Sequence, residues 1–154
     1  MKYLLEHGSD VNAVDTDEPE TCLNIACAEF DLGNFDQLER IHLLLNNGAK
    51  IEQFNNVLCN AICWKNRTLV EVLLANGAEV NIVSDEGYSP LYYAKLRRQK
   101  EIEKLLLSFG ASQEFISPQG ISISDLDNEE IRLKEFINWY YPDDEIDEEH
   151  DIID

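Results

Sequence analysis

Leucine pairs punctuate the chain. Leu4-Leu5, Leu44-Leu45, Leu73-Leu74 and Leu106-Leu107 each close an amphipathic stretch, and after two intervening residues come Gly8, Gly48, Gly77 and Gly110. A glycine there can take the left-handed conformation that stops a helix without a Cβ clash. The steps between these glycines are 40, 29 and 33 residues. Short extended stretches follow the first three stops, as Val11-Asn12, Ile51-Glu52 and Val80-Asn81. The fullest unit then runs Asp85-Glu86-Gly87-Tyr88-Ser89-Pro90-Leu91-Tyr92-Tyr93-Ala94. Asp85 and Gly87 suit a turn, Ser89 suits a helix N-cap and Pro90 the first helical position. Leu91 and Ala94 fall three apart, on one face of the predicted helix.

Recurrence at a step near ~33 residues marks a repeat architecture. Ser89-Pro90-Leu91-Tyr92-Tyr93-Ala94 resembles the Thr-Pro-Leu-His-x-Ala signature of the ankyrin repeat at its cap, proline, leucine and alanine. Thr21-Cys22-Leu23-Asn24-Ile25-Ala26 keeps Thr, Leu and Ala, and Asn56-Val57-Leu58-Cys59-Asn60-Ala61 keeps Leu, Ala and a capping Asn. The resemblance covers residues 1 to about 112. It implies an all-α ankyrin-repeat solenoid of helix-turn-helix units joined by short hairpin loops. The expected units are a half-unit at 1–13 and full units near 14–53, 54–83 and 84–112. The first unit is too long, with its surplus around Glu29 to Asp36, and the second is contracted near Gln53 to Asn56. The chain starts inside a second helix, read as a native short start.

Residues 113–142 differ in kind. Ser117-Pro118-Gln119-Gly120 reads as a turn. Asp127 is the expected N-cap of a last helix, with Glu130 at the third helical position and Leu126 stapled to Ile131. That helix sets Leu133, Phe136, Ile137 and Tyr140 on one face, and Pro142 ends it. Terminal repeats need a cover, so the expected role is a C-terminal capping helix, with a docking helix as the alternative.

Charge narrows the function. Twelve Lys and Arg stand against thirty-one Asp and Glu, a formal net charge of −19. Phosphate backbones are repelled by such a chain, which disfavours direct nucleic-acid binding and favours a basic protein partner. The segment 143–154 holds eight acids and no Lys or Arg, interspersed with Ile146, Ile152 and Ile153. It reads equally as a solubilising tail and as an arm engaging a basic surface. No apolar run approaches the roughly 18 residues of a membrane span, and the start lacks a secretion signal, so the expectation is a cytoplasmic protein. Cys22, Cys27, Cys59 and Cys63 lack the spacing and histidine partners of a zinc site, and read as buried, reduced thiols in helices. No phosphate loop, hydrolase elbow or dinucleotide fingerprint is present, which points to no enzyme and no cofactor.

Partners of ankyrin proteins tend to lie along the hairpin tips and the outward positions of the first helices. Carried onto this chain, that resemblance implies a surface of Asp17, Glu18, Glu20 and Glu29 in the first unit and Asn55 and Trp64 in the second. The third unit adds Asp85, Glu86, Tyr88, Tyr92 and Arg97. Tyr92 stands in the place of the signature histidine, where a structural role competes with a contact role. The expected activity is that of a non-catalytic module, monomeric on its own, which recognises a basic protein. In a sharper form it is a small inhibitor or immunity protein neutralising a toxin such as a nuclease. The alternatives are a scaffold or host-directed effector, and a DNA mimic.

Overall fold

The computed structural model describes residues 7–14, 21–28, 35–51 and 57–140. Among them are seven α-helices: α1 (Cys22–Ala28), α2 (Phe35–Asn46), α3 (Val57–Cys63), α4 (Arg67–Ala75), α5 (Pro90–Leu96), α6 (Lys100–Ser108) and α7 (Glu129–Tyr140). A 3-10 turn over Asp125–Asp127 precedes α7. Extended structure among the described residues amounts to two isolated bridges, Val14 with Thr21 and Ile116 with Ser122. The leading helix of the half-unit, the surplus loop at 29–34, the contracted hairpin at 52–56 and the tail at 141–154 lie outside the described residues.

The helices start where side chains can satisfy their first amides. Ser89 Oγ accepts from the Tyr92 amide at 3.2 Å, with Pro90 opening α5, and Thr21 Oγ1 accepts from the Asn24 amide at 3.2 Å. Asn66 caps α4 through Leu69 N at 3.0 Å. Asp127 does not cap α7. Asn128 does, with its Oδ1 receiving the amides of Glu130 and Ile131 at 2.9 and 3.4 Å. Asp127 instead ends the 3-10 turn and pairs with Lys95 at 2.9 Å.

The glycine stops share one geometry. Gly77 N donates to Leu74 O at 3.1 Å and Ala78 N to Leu73 O at 3.0 Å, with φ +92° at Gly77. The same pair of bonds closes α2 at Gly48 and α6 at Gly110. This paired turn satisfies two carbonyls that the helix end leaves open. The turn within each later helix pair copies it, with Lys65 and Arg98 in the left-handed position at φ 57° and 56°.

Stacking buries the signature positions. Helix α1 packs on α3, α3 on α5 and α5 on α7, while α4 packs on α6. Leu23, Leu58 and Leu91 are buried, and Ala26, Ala61 and Ala94 let neighbouring helix backbones approach. Polar stitches join successive units. Asn12 accepts from Lys50 N and donates to Gly48 O, and Asn81 accepts from Ser112 N at 2.7 Å. Buried Gln99 donates to the Ile62 carbonyl at 2.8 Å.

Cys27 and Cys59 are buried and Cys63 half-buried, and burial pushes the Cys27 and Cys59 thiols up to about 12. Cys22 corrects the reading of four buried thiols: it is exposed at the first position of α1, whereas Val57 and Pro90, in the same place of the later units, are covered.

Two glycines test the fold. A Cβ on Gly77 would meet nothing within 4 Å, whereas on Gly87 it would lie 2.7 Å from Pro118 Cγ. Gly77→Ala should therefore cost about 1–2 kcal/mol through the backbone alone. Gly87→Ala should cost clearly more in urea unfolding; equal costs would contradict the contact between the hairpin and the C-terminal segment.

Candidate functional site

Six of the residues predicted for the partner surface belong to the described part of the chain. Asp17, Glu18, Glu20, Glu29 and Asn55 lie outside it. Trp64 follows the end of α3 and is 48% exposed. Arg97 holds the equivalent place one unit later, since each stands three residues beyond its buried signature alanine. The Cys63 thiol, at the end of α3, is raised by burial and drawn back by the Arg97 guanidinium.

Around Arg97 the charges and rings interlock. Its guanidinium lies 5.0 Å from the centre of the Trp139 ring, a cation–π pair. Trp139 Nε1 donates to Glu86 Oε2 at 3.0 Å, and Tyr93 Oη donates to the same oxygen at 2.6 Å. Ser84 Oγ lies 3.1 Å from the Tyr93 hydroxyl. Asp85 and Glu86 are both exposed at the hairpin tip. Asp85, Glu86 and Arg97 thus stand with Trp139 of α7 in an aromatic and charged edge, and Trp64 is exposed at the equivalent place of the preceding unit.

Tyr88 and Tyr92 do not belong to that edge. Both are buried, because α7 and the segment before it cover the inner side of α5. Tyr88 stacks on Tyr92 with ring centres 5.3 Å apart and donates to Gln119 Oε1 at 3.0 Å. Tyr92 meets Phe115 edge-on at 5.4 Å and donates to Glu135 Oε1 at 2.6 Å. Burial, then the carboxylate partner, raises the ionisation of the Tyr92 hydroxyl far above its usual range, and Tyr93 is raised likewise by burial and Glu86. Desolvation also raises Tyr88.

Helix α7 covers the last repeat, but not with the predicted face. Arg132 and Glu135 are buried and Phe136 and Trp139 pack against the core, while Leu133, Ile137 and Tyr140 are exposed. Polar groups on α5 set this rotation. The Leu96 carbonyl receives Arg132 Nη1 at 3.2 Å, and the Tyr92 hydroxyl needs an acceptor that only a polar residue can supply. Arg132, Glu135, Phe136 and Trp139 are spaced 3, 4 and 7 from Arg132, so their stripe was visible in the sequence. Hydrophobicity alone pointed to the competing stripe.

Among the described residues no three His, Cys, Asp or Glu side chains group as metal ligands, and no helix is long and apolar enough to cross a membrane. The site is an edge of grouped rings and charges, suited to contact with another macromolecule. Comparison with known proteins agrees with the stack. The family of ankyrin repeats (three copies) matches residues 34–117, more than half of the chain. The chain belongs to the ankyrin-repeat family. It is 35% identical over 118 residues to the ankyrin repeat protein FPV031 of Fowlpox virus (strain NVSL), covering 72% of this chain. A second ankyrin repeat protein of that virus, FPV024, is 38% identical over 65 residues, 42% of this chain. The chain spans 33% and 11% of the lengths of these relatives. Ankyrin repeats are protein-interaction modules, and the chain carries that architecture.

The buried hydroxyl gives a direct check. Tyr92→Phe leaves the Glu135 carboxyl buried without its donor and should cost about 2 kcal/mol. Because the Tyr92 ionisation is raised on folding, its contribution is complete below the ordinary tyrosine value of about 10 and fades as pH climbs past it. Wild-type stability should therefore fall more steeply above that pH than the variant's. Parallel curves from urea titrations would reject the linkage.

Proposed function

We propose that this ankyrin-repeat chain is a non-catalytic recognition module for a basic protein, bound along the edge bearing Trp64, Asp85, Glu86 and Arg97. The observation that carries the reading is Trp64: a large ring, 48% exposed at the end of α3, in a chain of net charge −19. Exposed tryptophans flanked by polar groups are frequent anchors of binding energy. Opposite charge on the partner would speed encounter and fix orientation. Asp17, Glu18, Glu20, Glu29 and Asn55 would extend the same strip through the earlier hairpins. Glu86 serves two purposes, since its carboxylate also holds Trp139 and Tyr93. Tyr88 and Tyr92 serve the interior.

A sharper form of the proposal is an inhibitor that covers the nucleic-acid groove of a basic protein such as a nuclease toxin. Excess negative charge supports it, because a groove built for phosphates attracts carboxylates.

Affinity capture at low salt, eluted with a salt gradient, tests both forms. A basic protein should be retained by the wild type and released as salt rises. Trp64→Ala should weaken its binding by about tenfold or more, the usual scale of an anchor residue, without changing the unfolding midpoint. Retention of neutral proteins, indifferent to salt and to Trp64, would replace the basic-partner reading with a scaffold.

A further inference from the structure

Half of the chain's cations converge on one side of the last repeat. Of twelve Lys and Arg, the six residues Lys65, Lys95, Arg97, Arg98, Lys100 and Arg132 line two clefts between the helix pairs and α7. The clefts adjoin, because Arg98 and Arg132 line both. In the smaller, about 220 Å³, the cations Lys65, Arg97, Arg98 and Arg132 surround apolar surface from Leu96, Leu133 and Phe136. No carboxylate among the described residues lines it. The larger, about 370 Å³, holds Lys95 and Lys100 together with Glu103, Asp127 and Glu129. There Asp127 pairs with Lys95, and Glu129 pairs with Arg98 and, at 3.6 Å, with Arg132. Lys65 and Lys100 form no ion pair with any described residue.

Backbone geometry sharpens the oddity. Lys65 and Arg98 hold the left-handed positions of their turns, at φ 57° and 56°, where glycine would sit without strain. Each non-glycine residue there costs about 1 kcal/mol. Cationic side chains are thus held at strained positions beside the same cleft, in a protein whose charge is otherwise overwhelmingly negative.

We propose that the cleft is a docking surface for an acidic segment studded with apolar residues, and that its occupant is the chain's own residues 143–154. That segment carries eight acids, no Lys or Arg, and Ile146, Ile152 and Ile153. It matches four cations around a patch of leucine and phenylalanine. An acidic partner arriving from solution meets the repulsion of a −19 chain, whereas a tethered segment is present at an effective concentration of about a millimolar. Weak contacts therefore suffice for the segment and not for a stranger. Reach imposes no barrier. Phe136, on the cleft, lies one helical turn, about 6 Å, before Tyr140, and a dozen extended residues span up to about 40 Å. Docking also places charge of the right sign beside Lys65 and Lys100, which pair with no described carboxylate. The inference does not depend on what protein the Trp64 edge recognises.

The test compares amide NMR spectra of three full-length proteins. They are the wild type, a form with Asp143, Asp144, Glu145, Asp147, Glu148 and Glu149 changed to Asn or Gln, and that neutralised form carrying Lys65→Glu and Lys100→Glu in addition. Neutralising the tail alters no described residue, so the repeat stack is untouched. The amides of Lys65, Arg98, Lys100 and Leu133 should differ between wild type and neutralised tail, and raising salt should move the wild type towards the neutralised form. A peptide of the native sequence 143–154, added to the neutralised form, should shift the same amides, and bind about tenfold more weakly once Lys65 and Lys100 are reversed as well. Cleft amides unchanged by neutralising the tail would overturn the proposal. If they are unchanged but the added peptide still shifts them, the cleft takes acidic segments from a partner, and the intramolecular assignment falls.

Discussion

Tyr92 donates its hydroxyl to a carboxyl buried under the last helix, and the closed end of the repeat stack rests on that bond. Every helix pair of a solenoid leaves a face uncovered until the next pair is laid on it. In the earlier units, leucines and alanines of the following repeat provide the cover. On the third full unit α7 lies across α5 in the place that a following helix pair would take. A tyrosine in the signature histidine's place puts a hydroxyl into that interface. A buried hydroxyl needs a partner, so the covering helix has to bring one.

That requirement propagates outward. Once Glu135 faces Tyr92, the helical period carries Arg132 to the Leu96 carbonyl and Trp139 to the hairpin tip, where Glu86 receives its indole N–H. Arg97 then lies over the indole ring. The edge on which Glu86 and Arg97 stand is thereby tied to the cap. Turning Leu133 outward follows from the same rotation, and with Phe136 it lends apolar surface to the cationic cleft. One buried hydrogen bond therefore orders both the aromatic edge and the basic cleft, which share Arg97.

Much of this was legible in the residues. Ser89 and Pro90 announce the start of α5, and the Leu-Leu-x-x-Gly runs announce the stops of α2, α4 and α6. These are local signals, read within one turn of chain. The cap of α7 was misplaced by one residue because Asp127 and Asn128 are both good capping residues, and the ion pair of Asp127 with Lys95, 32 residues earlier, decided between them. Tyr88 and Tyr92 fall on the expected contact surface, with a structural role competing at Tyr92, for a similar reason: the turn and first helix of an ankyrin unit usually face outward, and the segment that covers them follows later in the chain.

By itself, the sequence determined the repeat, its helix boundaries and the excess of negative charge, because each depends on neighbours a few residues apart or on composition alone. Tertiary structure decided which stripe of α7 faces inward, which aromatic rings remain at the surface, and that six cations scattered over 68 residues from Lys65 to Arg132 meet around one pair of clefts. Hydrophobic patterning ranks faces by their affinity for an apolar core. It is silent about a buried hydroxyl or an open carbonyl across the interface, and at the end of this stack those polar groups outweigh it.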